Sequence, residues 1–287
     1  MKRRDFLSVP AAAAGVSAVS SLAASESKEK RVRQSVMGWC FKPLTPAALA
    51  QQAKLIGLDA IEGIPSTSYP EVIALGLQIS LVGSHGFAKG PLDTENHSEV
   101  ESKLREGIDL AVRYGAPNVI TFTGMKKNGI TDEAAKRNCL ASWKRVIGYA
   151  EEKGVGLVLE HLNSKDDSHP MKGHPGYWGD DLHLCADLVK SMDSPNFKLL
   201  FDLYHVQIMH GDLIRNVQRY HSIVGHYHTA GNPGRGELND QQEINYPPVI
   251  RAIIETGYQG FIAQEFIPTS DDPIKSLREA YDVCNVD

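Results

Sequence analysis

The chain has 287 residues, of which 42% are hydrophobic and 23% are charged, and its formal net charge is −5. This balance is that of an ordinary globular protein without a basic surface, so nucleic acid is disfavoured as the main partner. Four widely spaced cysteines without a CxxC pair indicate neither a zinc knuckle nor a disulfide scaffold, and we expect them to be small core residues.

The first 25 residues have the composition of an export signal. The pair Arg3–Arg4 precedes an alanine-rich run and small residues suited to cleavage near Ala23 or Ala24, which is typical of a twin-arginine signal peptide. This run is shorter than the roughly 20 residues that span a bilayer, and no later segment is apolar enough, so we expect no membrane span. We predict a signal peptide over residues 1–25, a linker over 26–33, a single domain over 34–287, and export to the periplasm.

Eight short apolar segments alternate with helical segments through the rest of the chain. The expected strands are 35–40, 58–64, 77–82, 118–123, 155–161, 197–203, 222–229 and 259–266. The expected helices are 46–56, 98–114, 132–153, 181–192, 213–220, 247–255 and 273–283. A glycine follows several of these helices, as a left-handed C-cap requires, at Gly57, Gly115, Gly154 and Gly257.

This alternation predicts parallel βα units, which fit either an open doubly wound sheet or a closed barrel. No GxGxxG or GxxxxGK[ST] motif follows the first strand, so the usual support for a nucleotide-binding open sheet is missing. We therefore predict a single (β/α)8 TIM barrel with its active site at the C-terminal ends of the strands. Two long loops, 162–179 and 230–246, would lie at that end and are expected to be functional.

Acidic residues end several of the predicted strands in the second half of the chain. Glu160, Asp202 and Glu265 each follow an apolar run, and His228 ends the strand between the last two of them. A buried carboxylate costs several kcal/mol unless it is paired, hydrogen-bonded or bound to a metal. Independent helix caps and salt bridges could explain one such residue, whereas three carboxylates with an imidazole indicate a shared cation.

This donor set is hard and rich in oxygen, so it favours one divalent cation, Mn²⁺ or Mg²⁺ with Co²⁺ as an alternative, over a thiolate-type zinc site. His226 and His228 share one face of their strand, and His228 is nearer the C-terminal end and is the better ligand. His226 is then a buried histidine next to the site. His205, three residues after Asp202, could reach the same end and bind a substrate oxygen, or face solvent at a helix start. His85 and Trp39 could line the pocket or simply pack.

At these motifs the sequence resembles the xylose isomerase-like barrel superfamily, and most closely its hydroxypyruvate isomerase group. The resemblance rests on LVLEHLN, HPGYW, FDLYHVQIMHGDL, GHYHTAGNPGRGEL and EINYPPVIRAIIETGYQGFIAQEF, which cover most of the C-terminal half in the family's order. It implies one divalent metal held by Glu160, Asp202, His228 and Glu265. The two glutamates would also transfer a proton through a metal-stabilised enediolate, and His205 and Arg235 would contact substrate oxygens.

The resemblance departs from the hydroxypyruvate isomerases at His228, where they usually carry glutamine and the ketose 3-epimerases carry histidine. The predicted function is therefore an isomerase or epimerase of a small sugar or keto-acid, with the substrate and the oligomeric state left open. Two alternatives keep the same barrel: a keto-inositol dehydratase-type lyase, and a non-catalytic sugar-binding protein that retains the metal. A nuclease like the abasic-site endonucleases is disfavoured because it needs more histidines and a basic face.

Overall fold

The structure is a computed structural model that describes residues 32–168 and 171–286. The predicted signal peptide, residues 1–25, lies outside the described residues, as does most of the predicted linker. Twin-arginine export therefore stays a prediction from the sequence. Within the described ranges, the structure contains no helix with the length and hydropathy that a membrane crossing requires.

Eight parallel strands form one sheet, and each corresponds to a predicted strand. They are β1 (Arg33–Met37), β2 (Ala60–Glu62), β3 (Gln78–Ile79), β4 (Asn118–Thr121), β5 (Gly156–Glu160), β6 (Phe197–Asp202), β7 (Val224–Thr229) and β8 (Phe261–Gln264). Their spatial order is β3-β2-β1-β8-β7-β6-β5-β4, so strands adjacent in sequence are adjacent in space and β8 pairs with β1. Most observed strands are shorter than predicted because their ends leave the sheet to form loops.

A short bridge between the segment after β3 and strand β4 closes the barrel. The amide of Val82 donates to the carbonyl oxygen of Asn118 (2.9 Å), and the amide of Ile120 donates to the carbonyl oxygen of Val82 (3.0 Å). The two ends of the row of strands are thereby joined. The fold is a (β/α)8 barrel, as the sequence predicts.

Ten α-helices surround the barrel in the described part of the chain. They are α1 (Pro46–Ile56), α2 (Tyr69–Ala74), α3 (His97–Tyr114), α4 (Asp132–Trp143), α5 (Ile147–Lys153), α6 (Leu182–Met192), α7 (Leu203–Met209), α8 (Leu213–Tyr220), α9 (Tyr246–Glu255) and α10 (Pro273–Cys284). Gly57, Gly115 and Gly154 end α1, α3 and α5 in the left-handed conformation, as predicted. The short helices α2 and α7 are not among the predicted elements.

The prediction of one continuous helix over residues 132–153 is wrong. The helix is interrupted between α4 and α5. There the amide of Val146 donates to the carbonyl oxygen of Trp143 (3.0 Å) in a tighter turn than that of an α-helix. Trp143 is fully buried, and its Nε1 donates to Thr121 Oγ1 on β4 (3.0 Å). The break thus lies beside a tertiary anchor, which local helix propensity does not register.

The inside of the barrel is apolar on one side and polar on the other. Leu81, Val158 and Leu200 form an apolar cluster under strands β3 to β6. Glu62 and His226 are fully buried on the opposite side, at β2 and β7. The four cysteines are buried and free, as predicted for core residues: Cys40, Cys139, Cys185 and Cys284.

Candidate metal centre and active site

The four predicted ligands meet at the C-terminal ends of four strands. Glu160 is the last residue of β5, Asp202 the last of β6, His228 lies near the end of β7, and Glu265 directly follows β8. The register places Asp202 opposite His228, and the amide of Glu265 donates to the carbonyl oxygen of Thr229 (2.9 Å). One potential ligand atom from each of the four side chains lies within 4.8 Å of the other three. Strand pairing brings these strand ends together, and the side-chain conformations complete the cluster.

The carboxylate oxygens that face one another in this cluster are hydrogen-bond acceptors when ionised, and His228 Nδ1 is an acceptor when the ring is neutral with its proton on Nε2. His228 Nδ1 lies 2.7 Å from Glu265 Oε2, 3.3 Å from Glu160 Oε1 and 3.9 Å from Asp202 Oδ2. All four atoms are buried, and none makes a well-aligned hydrogen bond within the described residues. Lone pairs at these distances repel unless a proton or a cation lies between them. Three carboxylates and one imidazole fit a hard divalent cation.

Asp202 serves two purposes with its two carboxylate oxygens. Its Oδ1 accepts hydrogen bonds from the amides of Tyr204 (2.8 Å) and His205 (3.2 Å) and so caps the N-terminus of α7. Its Oδ2 makes no such bond and faces the cluster. The helix-cap interpretation of this carboxylate and the ligand interpretation are therefore compatible, because they use different atoms.

A fifth carboxylate, Glu62 at the end of β2, orients His228 and was not predicted. Glu62 Oε1 accepts a hydrogen bond from His228 Nε2 (2.8 Å), and both side chains are fully buried. With its proton on Nε2, the imidazole presents the Nδ1 lone pair to the other three carboxylates. Glu62 also ends a strand, but only Ala60 and Ile61 precede it there, so the pattern that identified Glu160 and Asp202 is weaker at this position.

The other oxygen of Glu62 lies in a buried polar group below the cluster. Ser80 Oγ donates to Glu62 Oε2 (2.5 Å), Ser80 and Ser35 share a hydrogen bond (2.5 Å), and His226 Nε2 lies 2.9 Å from Glu62 Oε2. His226 is therefore a buried neighbour of the site, as predicted. These contacts hold the pKa of Glu62 well below its usual range because the pull of His226 and His228 outweighs the effect of burial, which acts to raise it.

The three clustered carboxylates differ in their electrostatic environment. Burial and the charge of Glu265 raise the pKa of Asp202 to about 7, and burial also raises the pKa of Glu160. Burial acts in the same direction on Glu265, but Arg235 and His228 outweigh it and lower its pKa to about 2. Glu265 is thus the carboxylate most firmly held in its ionised form.

Arg235 comes from the long loop after β7 and is almost completely buried beside Glu265. Its Nη2 lies 2.6 Å from Glu265 Oε2, its Nε donates to the carbonyl oxygen of Glu265 (3.3 Å), and its Nη1 donates to the carbonyl oxygen of Met171 (2.5 Å). The backbone of Arg235 has a positive φ of 56°. Its predicted contact with substrate oxygens stays a prediction, while its present bonds hold a carboxylate and join the two long loops.

His205 lies fully buried next to Asp202, with one nitrogen engaged and the other free. The amide of Asn163 donates to His205 Nδ1 (3.2 Å), so the proton of the neutral ring resides on Nε2. Within ranges 32–168 and 171–286, His205 Nε2 has no hydrogen-bond partner, and it lies 3.6 Å from Asp202 Oδ2. Burial and the charge of Arg235 keep the pKa of His205 well below its usual range, so it is a neutral donor at this site.

A cavity of about 250 Å³ opens above the four ligands. Its lining combines two of them with apolar and aromatic side chains: Met37, Trp39, Gly63, Leu81, Gly83, Ser84, His85, Phe87, Ile120, Phe122, Glu160, Leu162, Met171, His174, Arg235 and Glu265. His85 lies here as predicted, but its Nε2 bonds to Thr121 Oγ1 (2.9 Å) and its Nδ1 faces carbonyl oxygens of its own loop. It therefore offers the cavity a ring surface and no free nitrogen.

Replacing Glu62 by glutamine is expected to weaken divalent-cation binding by about 10- to 100-fold. Glutamine keeps the shape but removes the negative charge and leaves one acceptor oxygen where Glu62 offers one each to His226 and His228, so the contact that orients His228 is weakened. Calorimetric titration with Mn²⁺ measures the affinity, and Glu71→Gln, an exposed position on α2, is the matched control. An unchanged affinity in Glu62→Gln would show that Glu62 does not orient His228.

The fold and the site together define a (β/α)8 barrel with a candidate divalent-cation centre at the C-terminal ends of its strands. The model of the xylose isomerase-like TIM barrel family matches residues 51–285, and the chain belongs to this family.

The chain is similar to several named proteins, among them two sequence relatives and one solved structure. A human protein provisionally named hydroxypyruvate isomerase is 29% identical over 266 residues, which cover 86% of this chain and 94% of the relative. The 2-oxo-tetronate isomerase of Cupriavidus necator is 30% identical over 176 residues, which cover 58% of this chain and 63% of that protein. The D-psicose 3-epimerase of Clostridium cellulolyticum H10, solved with D-tagatose, has a TM-score of 0.72 at 14% identity and covers 88% of this chain and 98% of its own.

Proposed function

We propose that this protein is a divalent-metal-dependent isomerase or epimerase of a small hydroxy-carbonyl compound, a sugar or a keto-acid. The observation that carries the proposal is the convergence of Glu160, Asp202, His228 and Glu265 on one point beside a cavity, with facing atoms that make no well-aligned hydrogen bond within the described residues. The names of the sequence relatives, both isomerases, and of the structural neighbour, an epimerase, agree with this class of reaction.

Glu160 and Glu265 are the proton carriers in this proposal. They approach the cluster from β5 and from the end of β8, strands that are three positions apart in the closed barrel, and both line the cavity. A substrate carbon between them would have one carboxylate on each side. One glutamate can then remove a proton, and the same or the other glutamate can return it.

The position of proton return determines the reaction type. Return to the neighbouring carbon gives isomerisation, and return to the opposite face of the same carbon gives epimerisation. A divalent cation bound by the four residues would withdraw electron density from the substrate carbonyl and hydroxyl and so acidify the C–H bond between the carboxylates. Either Mn²⁺ or Mg²⁺ suits the donor set.

His205 would position the substrate from the side of β6. Its Nε2–H is free and lies beside Asp202, so a substrate oxygen near the cluster can accept its hydrogen bond. Because the ring is neutral, it can donate this bond without adding a charge. This geometry supports the predicted substrate contact of His205.

The test is hydrogen exchange between substrate and solvent. Metal-loaded protein in deuterated water with ketoses, keto-inositols or hydroxypyruvate is expected to replace the hydrogen next to the carbonyl with deuterium, and a chelator should stop the exchange. Proton magnetic resonance measures the loss of that hydrogen when Mg²⁺ is the cation. Binding without exchange would identify a sugar-binding barrel, whereas loss of water with an absorbing enone product would identify a lyase.

A further inference from the structure

The cavity above the cluster has one cationic side chain in its described lining, and that cation is already paired. Arg235 bonds through Nη2 to Glu265 Oε2 (2.6 Å) and through Nη1 and Nε to two backbone carbonyl oxygens. These contacts use three of the five N–H groups of the guanidinium group, and its charge is already paired with that of Glu265. A substrate carboxylate that approached Arg235 would have to share this cation with Glu265, which is itself a buried carboxylate.

The charge of the site also opposes an acidic ligand. The three negative charges of Glu160, Asp202 and Glu265 balance Arg235 and a divalent cation, and Glu62 adds a further carboxylate beside His226 and His228, so the site leaves no unpaired positive charge for an acidic ligand. Adding a further buried negative charge without a partner is costly in a site of low polarity. A ligand that brings no charge avoids this cost.

The wall away from the ligands is aromatic and apolar. Phe87 packs edge-on against His174 (4.3 Å between ring centroids) and lies 6.4 Å from Phe122. Burial lowers the pKa of His174 to about 4, so this histidine is uncharged at neutral pH. Such a wall suits the C–H surfaces of a carbohydrate and offers nothing to a carboxylate.

From these three features we infer that the substrate of this site is an uncharged keto-sugar and not a 2-oxo acid. The inference rests on the proposed function, whose sequence relatives include one named for a keto-acid. It predicts that this protein binds an uncharged substrate, in contrast to an enzyme that acts on a keto-acid, even where the proton-transfer residues of the two are the same.

Two pairs of compounds test the inference, because the members of each pair differ at a single carbon. Dihydroxyacetone and hydroxypyruvate have CH2OH or a carboxylate at one end, and D-fructose and 2-keto-D-gluconate differ in the same way. Calorimetric titration of the Mg²⁺-loaded protein is expected to give the neutral member of each pair the higher affinity, by roughly tenfold or more in at least one pair. Equal affinities, or tighter binding of the acids, would overturn the inference.

Exchange of the substrate hydrogen in deuterated water is measured on the same four compounds. This measurement keeps the two proposals apart. If the neutral compounds bind preferentially but no hydrogen exchanges, the proposed function fails and the charge inference holds. If the acids bind and exchange preferentially, the proposed function holds and the charge inference fails.

A variant that adds a positively charged side chain to the aromatic wall tests whether the lack of such a charge causes the preference for uncharged ligands. Phe87 is partly exposed at the cavity edge, so Phe87→Lys places an ammonium group there with little disturbance of the core. It is expected to shift the affinity ratio toward the acid by roughly tenfold, whereas the matched control Phe87→Leu should leave the ratio unchanged. An unchanged ratio in Phe87→Lys would show that the missing wall charge does not decide the preference.

Discussion

Replacing Glu160 or Glu265 by glutamine is expected to lower the rate of substrate interconversion by about 10²- to 10⁴-fold. Glutamine occupies nearly the same space but cannot accept and return a proton. Both side chains line the cavity and face the same point, so each substitution removes one of the two carriers. Glu255→Gln, an exposed position on α9, is the matched control and should retain full activity.

The two substitutions should differ in their effect on cation binding. Glu265 is paired with Arg235 at 2.6 Å, so Glu265→Gln leaves a buried guanidinium group without its partner beside the cation site. Glu160 has no arginine or lysine within salt-bridge distance among the described residues, and its charged-group contact there is with His228 (3.3 Å). We expect Mn²⁺ affinity to fall further in Glu265→Gln than in Glu160→Gln, as measured by calorimetric titration. Full interconversion activity in either variant would rule out that glutamate as a proton carrier.

Removal of the cation is expected to lower the midpoint temperature of unfolding by about 5 to 10 °C at neutral pH. A ligand at 100 to 1,000 times its dissociation constant stabilises the folded state by about 3 to 4 kcal/mol, which corresponds to such a shift in a chain of this size. The structure also predicts a loss of stability on removal of the cation, because the negative charges of Glu160, Asp202 and Glu265 would then repel one another without a balancing positive charge. Thermal unfolding with chelator and with added Mn²⁺ measures the difference.

This stabilisation by the cation should grow as the pH rises from about 6 to 8. The pKa of Asp202 in the folded, metal-free protein is raised to about 7, so between its ordinary value and 7 the folded state holds a proton that the unfolded chain has lost. Metal-free stability therefore falls as the pH rises through this window. Glu265, with its pKa lowered to about 2, stays ionised throughout and contributes no slope here.

Buried histidines such as His161 and His174 act in the opposite direction below about pH 6.5, because they are protonated only in the unfolded chain. These histidines contribute equally to the stability of the metal-free and the metal-loaded protein. The difference between the two melting temperatures therefore reports only the groups at the cation site. Burial also raises the pKa of Glu160, and Glu265 raises the pKa of His228 against the effect of burial, so both groups add to this slope and the difference reports the cluster as a whole. A difference that is constant from pH 6 to 8 would contradict this account.

The barrel and the position of its site were predictable because both follow from local patterns. Strands buried on both faces are continuous apolar runs, so β5 and β6 stand out in the sequence, and a glycine such as Gly154 marks where a helix must end. Glu160 and Asp202 stand out for the same reason, as charges placed where an apolar run stops. The choice of His228 over His226 followed from its position nearer the C-terminal end of β7, and it agrees with the contact of each histidine in the structure.

The break between α4 and α5 could not be predicted in this way, because it adjoins the anchoring of Trp143 on β4. Glu62 was missed for a different reason: strand β2 has three residues, so its apolar run is too short to make the carboxylate conspicuous. The pairing of Arg235 with Glu265 joins residues 30 positions apart through a loop of irregular conformation. No periodicity in the sequence reports such a contact.

The sequence by itself determined the alternation of strands and helices, and with it the end of the barrel at which the acidic residues gather, because hydrophobic periodicity and helix caps are local properties. Only the tertiary structure decided which atoms of those residues face one another. It turned one oxygen of Asp202 to a helix and the other to the cluster, placed Glu62 behind His228, and committed Arg235 to Glu265. These assignments depend on distances between strands and loops that are far apart in the chain, and such distances exist only once the barrel has closed.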